Sequence, residues 1–220
     1  MSVSKAWDWS KETDSLWRRP SEESYAVMQR WKDEGVKRVL DLGCGLGRHA
    51  VYFAKQGFDV SACDLSREAV ASLQTWAEAE GLPVRAAQAD MTALPYADGA
   101  FDAVFAYHVI SHTDTAGIRK IIGEIARVLR PGGELYATLC SKETWSFRDA
   151  GYPRLDANTI VKTDDGPEKD VPHFYATLDE LFDLFHAFEI EQIRHVDDCY
   201  FAGRKQNSKH YYLSARLRAK

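Results

Sequence analysis

The chain has 220 residues, 45% of them hydrophobic and 28% charged, with 28 Lys and Arg against 33 Asp and Glu. That balance describes one soluble globular domain with a sizeable core, and a formal net charge of −5 argues against a constitutive nucleic-acid binder, which carries a basic face. Lys5, Asp8, Lys11, Glu12, Asp14, Arg18 and Arg19 leave no apolar stretch for a secretory leader, and no later run reaches the roughly 20 apolar residues of a membrane span.

Residues 21 to 34 read as a helix, with Ser21 as N-cap, Glu22 and Glu23 at its positive end and Gly35 closing it. A strand is expected at 36–42, a helix at 47–56 stopped by Gly57, and a second strand at 58–64. Ser66 caps a helix to Glu80, with Val70, Leu73, Trp76 and Ala77 on one face and Gly81 after its end. Strands follow at 84–90 and 100–110. Ile118, Ile121, Ile122, Ile125, Val128 and Leu129 then mark a helix over 115–130, ended by Pro131-Gly132-Gly133, before a fifth strand at 134–140.

After Cys140 the rhythm breaks. Residues 141–172 are polar and irregular, and a long run of that kind in a compact domain is expected to be a functional loop or lid. Thr177-Leu-Asp-Glu180 is a capping box for a helix whose Leu181, Leu184, Phe185 and Phe188 share a face. Two strands close the chain, near 188–196 and 210–218, joined by the polar turn GRKQNSK (203–209). Alternating strands and helices of these lengths predict βαβ units and a parallel sheet covered on both faces.

In such sheets ligands lie beyond the carboxyl ends of the strands, so the first β-to-α turn, VLDLGCGLGRHA (39–50), is where to look. Gly43, Gly45 and Gly47 free the backbone for positive φ and for close approach, and the helix from Arg48 aims its N-terminus at whatever approaches. The approaching group is a ligand or simply the next element of the fold. The spacing is G-x-G-x-G, not the G-x-G-x-x-G of a dinucleotide site. Asp41, two residues before the first glycine, would repel a pyrophosphate and suits a nucleoside bearing an ammonium and a sulfonium. Asp64 ends the second strand, placed to take both ribose hydroxyls, with Leu65 against the adenine face. Asp90 ends the third, placed to accept from the adenine amino group, with Met91 on the ring.

VLDLGCGLGRHA, VSACDLS, AQADMTALPYADGAFDAVFAYHVISH and EIARVLRPGGELY, in this order, resemble the successive motifs of class I S-adenosylmethionine-dependent methyltransferases over residues 36–140. The resemblance implies an α/β, Rossmann-like three-layer sandwich with a seven-stranded, mostly parallel sheet of order 3-2-1-4-5-7-6 and strand 7 antiparallel. It implies S-adenosylmethionine as cofactor. Asp41, Gly43, Gly45 and Gly47 would line its methionine portion, Asp64 its ribose and Asp90 and Met91 its adenine, with Tyr107 and His108 flanking the sulfonium. A looser likeness is to bacterial small-molecule methyltransferases, including those around tellurite resistance.

A sulfonium methyl is already activated, so its transfer needs chiefly alignment and desolvation. A general base is required only where the nucleophile arrives protonated. His108, His112 and His173 are the histidines available. His108 ends a central strand at the cleft, His173 returns from the long loop beside Phe174 and Tyr175, and His112 reads as structural or as cofactor rim. His108 and His173 are therefore the expected catalytic residues. One domain is expected over 1–220: an N-terminal helical cap (1–35), a cofactor-binding core (36–140), a substrate-lid insertion (141–172), and a C-terminal helix and strands (173–220). Trp7, Trp9, Trp17 and Arg19 supply a second covering segment. Two covers and no basic run favour a small-molecule methyl acceptor over nucleic acid, protein or membrane, with Arg148 and Arg154 as anion contacts or a solvated face. Cys44, Cys63, Cys140 and Cys199 stand far apart, as expected of reduced thiols in a cytoplasmic protein, and no metal ligands are assigned. Two other readings stay open: a noncatalytic cofactor-binding sensor or partner subunit, and an NAD(P)-dependent oxidoreductase, which lacks its glycine spacing and its Tyr-x-x-x-Lys pair. Oligomeric state is not legible.

Overall fold

The structure, a computed structural model, describes residues 4–12, 14–199, 203 and 206–219. Seven strands run in the order β3-β2-β1-β4-β5-β9-β8: β1 (Arg38–Leu42), β2 (Asp59–Asp64), β3 (Arg85–Gln88), β4 (Phe101–Ala106), β5 (Leu129–Ser141), β8 (Phe188–Asp198) and β9 (Ser208–Leu217). β9 is antiparallel to both β5 and β8, and the other pairings in this row are parallel, so the expected fold is present. Of the expected polar turn before β9, Arg204 and Lys205 lie outside the described residues.

Two-residue periodicity sends alternate side chains to opposite faces, which is how one sheet serves two cores. Val39, Ala103, Phe105, Tyr136 and Tyr212 pack against α1 (Glu22–Asp33), α2 (Arg48–Lys55) and α3 (Arg67–Ala79). Leu40, Leu42, Val104, Leu135, Ala137, Leu139 and Leu213 face α4 (Thr115–Val128) and α6 (Leu178–Leu184). The helix starts follow their caps: Ser66 accepts from the Ala69 N–H, Asp114 from Gly117, and Thr177 and Glu180 form the expected capping box. Ser21 differs. Its side chain caps nothing; its backbone N–H donates instead to Nε2 of buried His49 at 3.1 Å, tying the start of α1 to α2.

Trp31 of α1 is fully buried against Phe53, Phe58 and Phe105, with ring centroids 5.6, 6.4 and 6.3 Å away. Trp31→Ala is expected to cost about 3–5 kcal/mol, because the three remaining rings cannot close the hole left by the indole. Urea unfolding measures this directly; a loss below about 1 kcal/mol would mean that the α1 layer is not part of the cooperative core.

The insertion departs from expectation. It holds a short helix α5 (Trp145–Arg148) and β6 (Thr159–Val161), and β6 pairs antiparallel with β7 (Pro172–Ala176). β7 pairs with β5 through Cys140 and Ser141. Since β9 holds the other edge of β5 as far as Cys140, β7 continues the edge that β4 leaves at Ala106. Among the described residues no helix is long and apolar enough to cross a membrane.

Candidate functional site

The carboxyl ends of β1, β2 and β4 meet at the glycine loop. Gly43, Gly45 and Gly47 have φ of +66°, +51° and +94°, a region most side chains avoid. Each absent side chain is accounted for by a protein neighbour. A Cβ on Gly43 would meet Val109 Cγ2 at 2.0 Å, one on Gly45 would meet Trp9 Cζ2 at 2.6 Å, and one on Gly47 would meet Leu73 Cδ1 at 2.4 Å. Gly43 is thus pressed by the β4–α4 connection and Gly47 by α3, whereas the neighbour at Gly45 comes from the N-terminal segment.

Asp41 is 1% exposed, accepts from the Ala50 N–H, and has no partner for Oδ2. Burial pushes its carboxyl up to about 7 from the ordinary 3.8, against the Ala50 hydrogen bond and the Arg48 charge. Between those values the folded protein keeps a proton that the unfolded chain has lost, so stability falls as pH rises from about 4 to about 7 and is level above. Asp41→Asn, with no charge to bury, is therefore expected to be more stable than the parent at pH 8 by on the order of 1–3 kcal/mol, and to lose that advantage near pH 4. Urea titrations at both pH values check the sign; an equal difference at the two would refute it.

Asp64 is held by backbone: Oδ2 accepts from Gly45 N–H at 2.9 Å and Oδ1 from Ser66 N–H at 2.8 Å. It therefore fastens the glycine loop to the start of α3. Burial raises its carboxyl above the usual range, against these hydrogen bonds. Leu65 beside it is half-buried, its carbonyl accepting from Gln88 Nε2 at 3.0 Å. Asp90 closes a turn through Oδ1, which accepts from both the N–H and the hydroxyl of Thr92 at 2.8 Å, and Met91 packs on the α4 side of the sheet.

Tyr107 and His108 follow β4 directly. The Tyr107 hydroxyl donates to Glu23 Oε2 at 3.2 Å, and its ring lies 5.7 Å from the Arg48 guanidinium. His108 sits at φ +52°, a strained setting for a non-glycine residue. Its N–H donates to Thr138 Oγ1 at 2.7 Å, and its ring is 4.5 Å from that of His210. Burial holds its imidazole well below the ordinary range, so it is neutral at neutral pH.

The N-terminal segment lies over this end of the sheet. Trp9 rests on Gly45, and Trp7, Trp9 and Trp17 pack on one another with centroids 5.1–5.4 Å apart. Arg48 sits 5.0 Å over Trp17. The indole N–H groups of Trp7 and Trp9 are buried and lack an acceptor. This segment meets the insertion: Asp8 N–H donates to Pro167 O at 3.1 Å, and Lys5 Nζ to Lys169 O at 2.9 Å. Arg154 does not face the cleft; it is exposed, 4.1 Å over the Phe147 ring, and Arg148 is exposed as well.

His173 stands apart from the expectation of a substrate-facing base. It is 1% exposed, and both ring nitrogens are engaged: Nδ1 with Val171 O at 2.9 Å and Nε2 with Glu168 Oε1 at 3.1 Å. His112 Nε2 lies 3.8 Å from the same Oε1, and the His112 ring stacks on Trp7 at 5.6 Å. Glu168 went unmarked in the sequence, because only the fold of the insertion brings it to two histidines. Cys44 lies buried in the loop, and burial pushes its thiol well above the usual range, so it is packing and not a nucleophile. A depression of about 570 Å³ lies at the far edge between α6 and β8, lined by Phe182, Ile190, Ile193 and His195 among others, and includes none of the residues expected to bind cofactor or to act in catalysis.

Residues 39–133 match a family model described as a methyltransferase domain. The chain is 38% identical over 122 residues to a demethylmenaquinone methyltransferase of Thermus thermophilus, covering 51% of this chain and 54% of that one. To a malonyl-[acyl-carrier protein] O-methyltransferase of Enterobacter lignolyticus it is 33% identical over 126 residues, covering 57% and 48%. The chain thus spans about half the length of the curated relatives it matches. A solved SAM-dependent methyltransferase structure from Methanosarcina mazei superposes with a TM-score of 0.71 over 83% of this chain and 93% of that one, and at 22% identity the likeness is one of fold.

Proposed function

The chain belongs to the class I S-adenosylmethionine-dependent methyltransferase superfamily, with S-adenosylmethionine as its cofactor, and from that premise we propose that it methylates a small-molecule acceptor. One observation carries the choice of a small acceptor. The N-terminal segment and the insertion are hydrogen-bonded to each other through Asp8 and Pro167 beyond the carboxyl ends of the strands, so the cleft is roofed against a macromolecular surface. The net charge of −5 and the demethylmenaquinone acceptor named for one relative support the same reading.

The buried polar atoms fit this cofactor. Asp41 Oδ2 lacks a donor, which an ammonium supplies, and the indole N–H groups of Trp7 and Trp9 lack an acceptor, which a carboxylate supplies. Asp64 would take the ribose hydroxyls, Leu65, Asp90 and Met91 the adenine, and the backbone at Gly43, Gly45 and Gly47 the methionine portion. When bound, the cofactor supplies a methyl group already activated by its sulfonium. The chain supplies alignment and a dry enclosure, which for well-oriented partners is worth about 7–11 kcal/mol. His108, neutral and held by Thr138, would accept a proton from an acceptor that arrives protonated. Tyr107, tied to Glu23, would wall the site.

The reading is tested with methyl-labelled S-adenosylmethionine and a fractionated metabolite extract. Label is expected to move into a small-molecule fraction with release of S-adenosylhomocysteine. Binding of S-adenosylhomocysteine without transfer to any fraction would leave a noncatalytic cofactor-binding domain. Tight binding of NADH in its place would overturn the cofactor site itself.

A further inference from the structure

Three side chains that the cofactor site leaves unused converge where the insertion meets the core. His112 comes from the connection between β4 and α4, Glu168 from the chain entering β7, and His173 from β7 itself. Their ligand atoms lie within 4.8 Å of one another. The separations, 3.1 Å from His173 Nε2 and 3.8 Å from His112 Nε2 to Glu168 Oε1, bracket the spacing of about 3.4 Å between neighbouring ligands of a tetrahedral zinc ion.

The hydrogen bonds say what is missing between them. Val171 O can only accept, so His173 Nδ1 carries the proton that it donates there at 2.9 Å. In the neutral ring Nε2 is then a lone pair, and it points at a carboxylate oxygen, also an acceptor, 3.1 Å away. Two acceptors facing each other at this distance, one of them on a fully buried ring, require a cation between them. Lys162 does not fill that place, because its ammonium pairs with the other oxygen, Oε2, and thereby turns Oε1 toward the histidines. A histidine that gives its far N–H to a backbone carbonyl is the arrangement that fixes the tautomer of a metal ligand. The His112 ring is held in its orientation by stacking on Trp7.

We propose that His112, Glu168 and His173 form a binding site for one divalent transition-metal ion, with zinc as the best match to two imidazoles and a carboxylate. Three protein ligands are the complement of a site that keeps one position for a non-protein ligand, as catalytic zinc sites do, whereas structural sites close all four. Trp7, in contact with both His112 and Trp9, puts this position one indole away from the residue resting on Gly45. The ion would also clip the insertion to the core, since one ligand belongs to the β4–α4 connection, one to the insertion and one to β7. The site stands independently of which acceptor is methylated.

The test uses the full chain dialysed against chelator, then titrated with Zn²⁺ by calorimetry and with Co²⁺ by visible absorption. One equivalent of each is expected to bind, the Co²⁺ form showing the strong d–d bands of low-coordinate geometry. His112→Ala and Glu168→Gln should each weaken binding at least about 100-fold, the upper end of the loss seen even when only a ligand's supporting partner is removed. His112 and Glu168 are partly exposed, so these variants are expected to fold, and a thermal melt checks that they do. His173→Ala is avoided because its ring is buried. Failure of the parent chain to bind either ion, or unchanged affinity in both variants, would overturn the proposal. An imidazolium resonance at His173 would then make the bridging cation a proton.

Discussion

Asp64→Ala is expected to remove cofactor binding, raising the dissociation constant for S-adenosylhomocysteine at least about 100-fold, equivalent to about 2.7 kcal/mol. Two effects add. The carboxylate that would hold both ribose hydroxyls is lost, and charge-assisted hydrogen bonds contribute about 1.5–3 kcal/mol each. The same carboxylate also fastens the loop, since it accepts from Gly45 N–H at 2.9 Å and Ser66 N–H at 2.8 Å. Asp64→Asn separates the two. Its amide oxygen can keep one backbone bond, so the loop and the melting temperature should be largely retained, while the charge and one acceptor toward the ribose are gone. Calorimetry on both variants, with melts as control, gives the answer. Affinity within threefold of the parent in the alanine variant would remove Asp64 from the site.

What could be read before the fold was known divides along a physical line. The two helical layers were legible because they rest on local periodicity: Val39 and Leu40, or Phe105 and Ala106, face opposite cores simply by alternating, whereas the strand order came from the resemblance to a known family, since periodicity does not say which strands pair. Capping at Ser66 and Thr177 was legible because three residues suffice to form it. The insertion was not. β6 is three residues long, β7 reads PHFYA with every residue buried and therefore no alternation, and α5 is a single turn. Such pieces are ordered by their partners, here Ser111 O accepting from Phe174 N–H and Asp156 accepting from Thr115 Oγ1, and a sequence window contains neither partner. Glu168 was invisible for the same reason. The glycine loop lies between these cases. Its spacing marked a close approach, but only the fold shows that Val109 and Leu73 make two of the three approaches.

That last point carries the second large effect. Gly43→Ala is expected to destabilise the protein by about 2–5 kcal/mol, from αL strain of about 1–2 kcal/mol plus overpacking of about 1–3 kcal/mol. The strain arises because the residue sits at φ +66°. The overpacking arises because the new methyl would meet Val109 Cγ2, Cβ and Cγ1 at 2.0, 2.7 and 2.9 Å. A flexible chain end could swing away; a β-branched side chain whose own Cβ is in the clash cannot, so relief must come from moving the backbone of Val109. Val109 follows His108, itself held at φ +52° with its N–H on Thr138, so the segment has little room to shift. Val109→Ala in the Gly43→Ala background tests the mechanism. It should recover part of the loss by removing Cγ1 and Cγ2, but none of the αL strain, so the double-mutant cycle should show a favourable coupling of about 1–2 kcal/mol. Additive losses would mean that Gly43 is required for its backbone conformation alone. The loop would then be shaped to admit something other than its own fold, and the loss of cofactor affinity in Gly43→Ala should exceed its loss of stability.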